Sequence, residues 1–468
     1  MDFHKPLFLT VFLPLFLLLY VLAAGRYKNS LLLAASVIFY GWYEPVFIFV
    51  LLATTFFDFV LVRVMEKQEG WKRKAVLSIS LCMNLSLLGW FKYRLFFVSL
   101  FGGTVTAQDE TLLLIALPLG ISFYTFESIT YLVDVYRREQ VPLKRFGDYL
   151  VYILMFPKLL AGPIIRYSEI ASQLNDRSNN ETIENRLSGF YRICIGLGKK
   201  VLIADQLALY YTDYTFSGID FHTLGAGSAW LAVVACLFRM YFDFSGYCDI
   251  AIGLGRICGF RFPENFNNPL LSHSITEFWK RWHITLTNWM RNYLYIPLGG
   301  SRNGKLMTYR NLGIVFLVSG LWHGAGLNFL IWGAFHGLLI VSERIVKLKI
   351  PKVVGILLTF VAVAYSMSFF FVHDASRIGE FQQALFGGNS TVTEHWPRTE
   401  FWLPFVAAIC FSFFACTPFT RRIQETVFIG QPTAAGHITL TVISSVLLVL
   451  SLSYSTSVSY NTFVYFRF

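Results

Sequence analysis

His323 is the residue of this sequence whose surroundings point most directly to chemistry. It stands in the segment SGLWHGAG between two long apolar runs, where Gly320, Gly324 and Gly326 allow close backbone approach and a broken helix that opens on a cavity. An imidazole titrates near neutrality, and as a general base for acyl transfer it takes the proton of a hydroxyl that attacks a thioester carbonyl. Because a polar side chain is costly to bury at membrane depth, we favour this role over that of a core histidine bonded to a neighbouring helix.

A second histidine, His283, lies in the segment SITEFWKRWHITLTNWMRNYLYIPLGGSRNGK, residues 274–305. This segment is too polar to span a bilayer, and Glu277 can pair with Lys280 and Arg281 at helical spacing. Its tryptophans, whose rings suit a membrane interface, are Trp279, Trp282 and Trp289. We predict an interfacial amphipathic helix followed by a turn, in which His283 is either an interfacial histidine of no consequence or a part of the same cavity as the first histidine.

A third histidine, His336, follows His323 further along the apolar sequence. If the segment were one helix, the two residues would be about 20 Å apart at 1.5 Å per residue. Local geometry then cannot bring both into one site, and we predict a structural role for His336.

Two carboxylates, Asp243 and Asp249, occupy the apolar segment MYFDFSGYCDIAIGLGRICGFRFPENFNNP, residues 240–269. Unpaired carboxylates are costly in such surroundings, and Arg256 and Arg261 of the same segment are available as partners. A buried structural ion pair is therefore at least as well supported as a catalytic role.

Metal and phosphate motifs are weak in this chain. Its seven cysteines show no metal-ligand spacing such as Cys-x-x-Cys, and we interpret them as small apolar residues. The sequence GLGKK at 196–200 lacks the full pattern of a phosphate-binding loop. We predict no metal cofactor.

The composition predicts that lipid is part of the solvent of this protein. Of 468 residues, 55% are hydrophobic, 18% aromatic and only 14% charged, which is more apolar surface than one soluble core can hide. Lys and Arg outnumber acidic residues by 39 to 28, but they lie in short loops between apolar runs, as in membrane proteins, and do not indicate nucleic-acid binding. We predict one transmembrane domain over residues 1–468.

Apolar runs long enough to cross a bilayer recur throughout the chain. We predict spans near 6–24, 31–43, 45–62, 76–99, 111–133, 227–243, 311–322, 325–346, 353–372, 401–417 and 438–456. Shorter runs broken by Pro and Gly, at 148–220 and 247–300, predict partial or tilted helices packed inside the protein.

Loop charge predicts the orientation. Basic residues fall in alternate loops, which should therefore be cytoplasmic: Arg26, Lys28, Arg63, Lys67, Lys72, Arg73, Lys74, Arg137, Arg138, Lys144 and Arg145. The connections around Glu44 and from Gly102 to Glu110 carry no Lys or Arg. We therefore predict that these connections and the N-terminus lie outside the cytoplasm. Further along, we predict that the polar loop from His373 to Glu400 is external and that the turn with Arg421 and Arg422 is cytoplasmic, which places the C-terminus outside as well.

Several long motifs in this order resemble the membrane-bound O-acyltransferase family, in particular its alginate and peptidoglycan O-acetylation branch. They are LPLGISFYTFESITYLVDVYR (117–137), FPKLLAGPI (156–164), the segment 240–269, ITEFWKRWHITLTNWMRNYLYIPLGG (275–300) and GLWHGAGLNFLIWGAFHG (320–337). The resemblance implies an all-α polytopic fold of about eleven transmembrane helices, with partial, re-entrant and interfacial helices around a central funnel and tunnel.

The resemblance also implies roles for individual residues. The family's catalytic histidine falls on His323, and a second active-site histidine falls on His283. The terminal FVYFRF, residues 463–468, resembles an aromatic motif whose tyrosine is proposed to accept the acyl group, so that Tyr465 would be a relay; from the residues alone it could equally belong to an interface belt. Candidate contacts to the donor are Lys280, Arg281, Trp282 and Asn288.

By the same resemblance, the protein would lie in the bacterial cytoplasmic (inner) membrane and move an acetyl group outward to an extracytoplasmic polysaccharide. The expected donor is acetyl-CoA, with an acyl carrier protein as the alternative. The expected partner is an extracytoplasmic acetyltransferase of the SGNH type. Two other classes stay open: a proton-coupled transporter, which broken helices and buried charges also suit, and a non-catalytic subunit of a glycan-export complex.

Overall fold

A computed structural model of the chain describes residues 3–103, 117–347, 350–428, 430 and 432–457. Its described part is helical and contains no strand beyond an isolated bridge between Leu224 and Thr393. The chain forms two compact units, Met1–Ile193 with Ile250–Pro263, and Cys194–Asp249 with Glu264–Phe468. The predicted all-α architecture is confirmed.

Seven helices of the described residues are long and apolar enough to cross a membrane. They are Phe47–Glu66, Gly70–Leu100, Ala226–Ile257, Leu327–Val346, Lys352–Phe371, Thr399–Cys416 and Ala434–Thr456. The predicted count of about eleven is therefore not confirmed by length and composition. Of the other predicted spans, Phe8–Leu22 and Lys28–Tyr43 are short helices, and part of 111–133 lies outside the described residues.

The first unit contains the early helices and the predicted broken segment. Its helices are Leu13–Leu22, Lys28–Tyr43, Phe47–Glu66, Gly70–Leu88, Arg94–Leu100, Ile121–Tyr136, Phe146–Leu154, Phe156–Leu159, Tyr167–Asn175 and most of Ile183–Leu197. All four residues of Phe156–Leu159 are buried, and Lys158 there forms an ion pair with the buried Glu127. The prediction of short helices packed inside the protein is confirmed for this part of the chain.

The second unit carries the histidines. The stretch 198–218 is helical throughout, with α-helical parts Asp205–Leu207 and Asp213–Gly218 and π-helical parts between and before them. The other α-helices of this unit are most of Ala226–Ile257, then Ile275–Arg281, Ile284–Met290, Gly304–His323, Leu327–Val346, Lys352–Phe371, Ile378–Leu385, Thr399–Ser412, Pro418–Phe428 and Ala434–Ser457. Gly304–His323 and Leu327–Val346 pack against each other, and we call this pair the histidine hairpin.

Close glycine contacts explain how the histidine hairpin packs. A Cβ atom at Gly320 would lie 2.3 Å from the carbonyl oxygen of Phe329, and one at Gly333 would lie 2.4 Å from that of Phe316. Real Cβ atoms do not approach backbone so closely, so the two helices meet because both positions are glycine. The predicted break is confirmed between His323 and Leu327.

The predicted end of the span 227–243 is wrong, because one helix runs from Ala226 to Ile257. The glycines of the segment after residue 247 were expected to interrupt the helix. Instead, Gly253 packs against Gly189, where an added Cβ would lie 2.6 Å from the Gly189 carbonyl oxygen. Glycine at this position supports close helix packing rather than a break, and the predicted partial helices begin only after Ile257.

The tryptophans of 274–305 are buried inside the protein rather than exposed on an amphipathic surface. Trp279, Trp282 and Trp289 are each at most 6% exposed, and the first two belong to the hydrophobic core of the second unit. The segment forms two short helices with His283 between them, rather than one amphipathic helix on a surface. The ring of Trp279 packs against the histidine hairpin, and the ring of Trp282 packs against the helix Ala226–Ile257. The alternation of charged and aromatic residues in the sequence does not reveal these contacts.

Candidate active site

His323 is the last residue of the first helix of the histidine hairpin, and its side chain lies in the core. The residue is 3% exposed. Its ring centroid lies 5.1 Å from that of Trp322, 5.0 Å from Trp332 and 5.7 Å from Phe370. An imidazole enclosed by aromatic rings is shielded from water, so its interactions with a bound polar group are stronger than they would be in solvent.

His283 lies beside it. The ring centroids of His283 and His323 are 6.5 Å apart, and His283 is completely buried. The structure therefore brings together the two histidines that the sequence singles out, and the alternative of a wet interfacial His283 is wrong. Its backbone adopts the left-handed conformation, with φ 44° and ψ 53°, which turns the chain between the helices Ile275–Arg281 and Ile284–Met290.

Asn265 holds this turn and orients the His283 ring. Its side-chain oxygen accepts hydrogen bonds from the Thr285 backbone N–H at 3.1 Å and from the Thr285 hydroxyl at 2.9 Å. The same oxygen lies 3.1 Å from Nδ1 of His283. Since an amide oxygen only accepts, Nδ1 carries the proton in this contact, and Nε2 carries the lone pair of the neutral ring.

His336 shares a small cavity with His323, contrary to the prediction that the two cannot meet. Because the chain reverses at the hairpin, His336 returns past Trp332, whose ring centroid lies 5.0 Å from His323 and 4.9 Å from His336. The aromatic lining of the cavity consists of Phe278, Trp279, Trp282, His323, Trp332, His336 and Phe370. The aliphatic lining consists of Leu237, Met240, Val363 and Met367. The spacing of His323 and His336 along a single helix did not predict their separation, because the chain reverses at the hairpin between them.

The free volume of this cavity is about 10 Å³, room for one water-sized group. The resemblance implies a funnel and a tunnel that meet near the catalytic histidine. Within the described part of the second unit, the space beside His323 is too small for a whole thioester.

The buried aspartates have different partners from those predicted. Lys199 lies 2.6 Å from Asp249, and Lys200 lies 2.7 Å from Asp243 and 2.6 Å from Asp205. The prediction of buried ion pairs is confirmed, but the cations come from the GLGKK sequence and not from the two arginines. Arg256 donates to Ser188 in the first unit, and the Arg261 backbone N–H donates to Gln173 there. Sequence proximity favoured the arginines, but both have partners within the first unit.

The candidate donor contacts differ in burial. Trp282 is buried and lines the cavity, whereas Lys280 is exposed. Arg281 pairs with Glu277 at 2.6 Å, as predicted for that pair. Asn288 is half-buried on the helix Ile284–Met290. Tyr465 and the rest of FVYFRF lie outside the described residues.

Metal-ligand geometry is absent from the part of the chain that the structure describes: no three His, Cys, Asp or Glu side chains there could hold a metal ion together. The side chains around His323 and His283 supply imidazole, amide and indole groups. Two of these, Asn265 and Trp332, were missed in the sequence. The NFNNP run and the spacing of Trp332 and His336 by one helical turn could have indicated them.

The second unit thus combines helices that are long and apolar enough to cross a membrane with a buried pair of histidines. The model of the membrane-bound O-acyltransferase family matches residues 76–354, which is more than half of the chain. This chain belongs to that family and is an acyltransferase.

Its relatives come from several bacteria. The chain is 41% identical to the probable alginate O-acetylase AlgI of Pseudomonas syringae pv. tomato, over 82% of this chain and 75% of that protein. It is 37% identical to the peptidoglycan O-acetyltransferase of Helicobacter pylori, over 79% of this chain and 76% of that protein. It is 32% identical to the teichoic acid D-alanyltransferase of Bacillus subtilis, over 47% of this chain and 57% of that protein.

Proposed function

We propose that this protein takes an acetyl group from a cytoplasmic thioester and passes it across the bacterial inner membrane for O-acetylation of an extracytoplasmic polysaccharide. The observation that carries the proposal is the buried pair His283 and His323, with rings 6.5 Å apart at the break of the histidine hairpin. The similarity to proteins named for alginate and for peptidoglycan acetylation supports both glycans as the final acceptor, alginate-like polysaccharide or peptidoglycan.

In the proposed reaction, His323 is the general base. It takes the proton of an attacking hydroxyl as the new O–C bond forms at the thioester carbonyl. The C–S bond then breaks, and the proton held by the imidazole passes to the departing thiolate, so that free CoA leaves as a thiol. His283, whose Nδ1 is held by Asn265, orients the donor or the acceptor through Nε2.

The donor of this proposal is acetyl-CoA, and an acyl carrier protein is its alternative. Lys280 and Lys305 are exposed basic residues that suit either anionic carrier. Both termini lie outside the cytoplasm in this scheme, so that the acetyl group leaves toward a partner acetyltransferase of the SGNH type. That partner transfers the group to the glycan.

Acetyl transfer can be measured directly. Purified protein is incubated with radiolabelled acetyl-CoA, with and without the extracytoplasmic partner and glycan, and labelled products are separated from the donor. We expect labelled glycan only in the complete mixture. A proton-coupled transporter or a structural subunit leaves all label in the donor, and that result would refute the proposal.

The acyl relay is a separate part of the proposal, and Tyr465 is the residue we assign to it. An unperturbed phenol has a pKa near 10, so it needs a base such as His323 to attack at neutral pH. Tyr465→Phe keeps the aromatic ring and removes the nucleophilic oxygen, and we expect it to abolish glycan acetylation. Tyr460→Phe, at another tyrosine near the same terminus, is the control. If Tyr465→Phe acetylates the glycan as well as an active Tyr460→Phe does, the acetyl group does not pass through the Tyr465 phenol.

A further inference from the structure

The third histidine of the core, His336, presents an unexplained polar group. It is 1% exposed, and neither of its ring nitrogens has a hydrogen-bond partner among the described residues. Its ring contacts are aromatic, with centroids 4.9 Å from Trp332 and 5.1 Å from Trp279. A buried donor or acceptor left without a partner costs about 1–3 kcal/mol, so a phenylalanine would be the more stable choice if packing alone were required.

Some other buried polar atoms without a hydrogen-bond partner among the described residues belong to residues that line the same cavity as His336. The indole N–H groups of Trp279 and Trp332 also have no hydrogen-bond partner in the described part of the chain, and both residues line the cavity with His336 and His323. The rest of the lining includes apolar side chains such as Met240 and Met367. Hydrogen-bond donors that face an apolar, water-poor space are arranged for a polar atom that arrives with a ligand.

The size of the cavity indicates which atom that is. Its free volume of about 10 Å³ admits one group of the size of a water molecule. A carbonyl oxygen is of this size, whereas the pantetheine chain of a thioester is too large for it. The cavity therefore fits the oxygen of an acyl group whose carbonyl carbon lies beside His323.

We propose that this cavity is the oxyanion pocket of the acyl transfer, and that His336 donates a hydrogen bond to the acyl carbonyl oxygen. The assignment rests on the function proposed above. When the hydroxyl attacks, the carbonyl electron pair moves onto oxygen, and the neutral imidazole N–H stabilises the negative charge that develops there. His323 meanwhile holds the proton of the attacking hydroxyl. No group is transferred to His336, and its ring is neutral before and after the step.

Two variants and a matched control test this assignment. His336→Phe keeps a flat ring and removes the N–H, whereas His336→Gln keeps an N–H donor near the same place. His4→Phe replaces a buried histidine of the first unit, 1% exposed, that has no part in the cavity. We expect His336→Phe to lower kcat roughly a hundredfold with a much smaller change in KM, and His336→Gln to recover roughly tenfold of that loss. We expect His4→Phe to keep the wild-type kcat.

Binding of unreactive donors tests the same contact without turnover. The probes are a ketone analogue of acetyl-CoA, in which a methylene replaces the sulfur, and S-ethyl-CoA, which lacks the carbonyl oxygen. We expect wild-type protein and His4→Phe to bind the ketone roughly fivefold more tightly than S-ethyl-CoA, and His336→Phe to bind the two equally. A merely structural histidine would alter stability or the affinity for both probes together.

The outcomes separate this inference from the proposed function. If wild-type protein acetylates the glycan while His336→Phe keeps its kcat and its preference for the ketone, the oxyanion pocket is refuted and the proposed function stands. The same holds if a bound water occupies the cavity and stays when the ketone binds. If wild-type protein neither transfers acetyl nor binds either probe, both the proposed function and the pocket are refuted.

Discussion

Two buried polar regions of the second unit differ in whether their groups have partners. In the first, Lys199 and Lys200 pair with Asp249, Asp243 and Asp205, so that each cation lies against a carboxylate. In the second, the cavity of the histidine hairpin, His336 and two indole N–H groups have no hydrogen-bond partner among the described residues. Paired groups of this kind hold helices together, whereas unpaired ones are available to a ligand. This difference distinguishes buried polar groups that hold the fold together from buried polar groups that can bind a ligand.

The largest effect that this comparison predicts is at His323. His323→Ala removes the base while the hairpin stays packed through its glycines, and we expect acetyl transfer to fall by about 10³-fold or more with little loss of folded protein. The measurements are transfer of radiolabelled acetyl and the thermal unfolding midpoint in detergent. His222→Ala, at an exposed histidine, is the control. Retained transfer in His323→Ala would remove this residue from the reaction.

The ion-pair region should respond in the opposite way. Lys200→Met leaves Asp205 and Asp243 close together without their cation, and breaking a buried pair costs about 3–5 kcal/mol. We expect a large fall in unfolding midpoint, and normal specific activity in whatever protein remains folded. Lys352→Met, at an exposed lysine, should change neither quantity. A stable Lys200→Met protein with low activity would mean that the paired cluster takes part in function.

Asn265 sharpens the comparison because it is a fully hydrogen-bonded residue placed next to a candidate catalytic group. Asn265→Leu removes the acceptor for Thr285 and for His283 Nδ1, so the His283 ring loses its fixed orientation. We expect a loss of activity of about tenfold to a hundredfold, with a smaller loss of stability. Steady-state kinetics of acetyl transfer measure it, with the exposed Asn267→Leu as the control. Wild-type kinetics in Asn265→Leu would show that this orientation does not matter.

The smallest effect is expected at the partly exposed pair of Glu277 and Arg281. Partial burial raises the pKa of Glu277, but the hydrogen bond from the His273 backbone and the charges of Arg281 and His273 outweigh it, so the pKa lies below its ordinary value. Because the pKa of Glu277 is lower in the folded than in the unfolded protein, its ionised form stabilises the fold at a pH above the ordinary carboxyl pKa. This stabilisation is lost as the pH falls through the pKa of the folded protein.

Glu277→Gln should therefore lower the free energy of unfolding by about 0.5 kcal/mol at neutral pH and by less in acid. Unfolding midpoints measured from pH 7 down to pH 4 test this sign. A difference between Glu277→Gln and wild type that grows in acid would contradict it.

Composition and local motif predicted the class of fold because lipid imposes apolar helices wherever the backbone crosses it. The broken helix at His323 and the short buried helices around Phe156 were predicted from glycine and proline for the same reason: their positions interrupt backbone hydrogen bonding. The long helix Ala226–Ile257 was predicted to end too early, since glycine in a sequence does not tell whether it breaks a helix or packs against another.

The sequence by itself determined that this is an apolar helical membrane protein with histidines in apolar surroundings, and its motifs pointed to His323 and His283. Only the tertiary structure decided which groups meet. It places His283 beside His323, with Asn265 bonded to the His283 ring, and it brings His336 to the same cavity as His323. It also pairs Asp243 and Asp249 with lysines rather than with arginines. The physical reason is that helical periodicity is local, whereas the reversal of the hairpin and the choice of ion-pair partner depend on which faces of distant helices pack together.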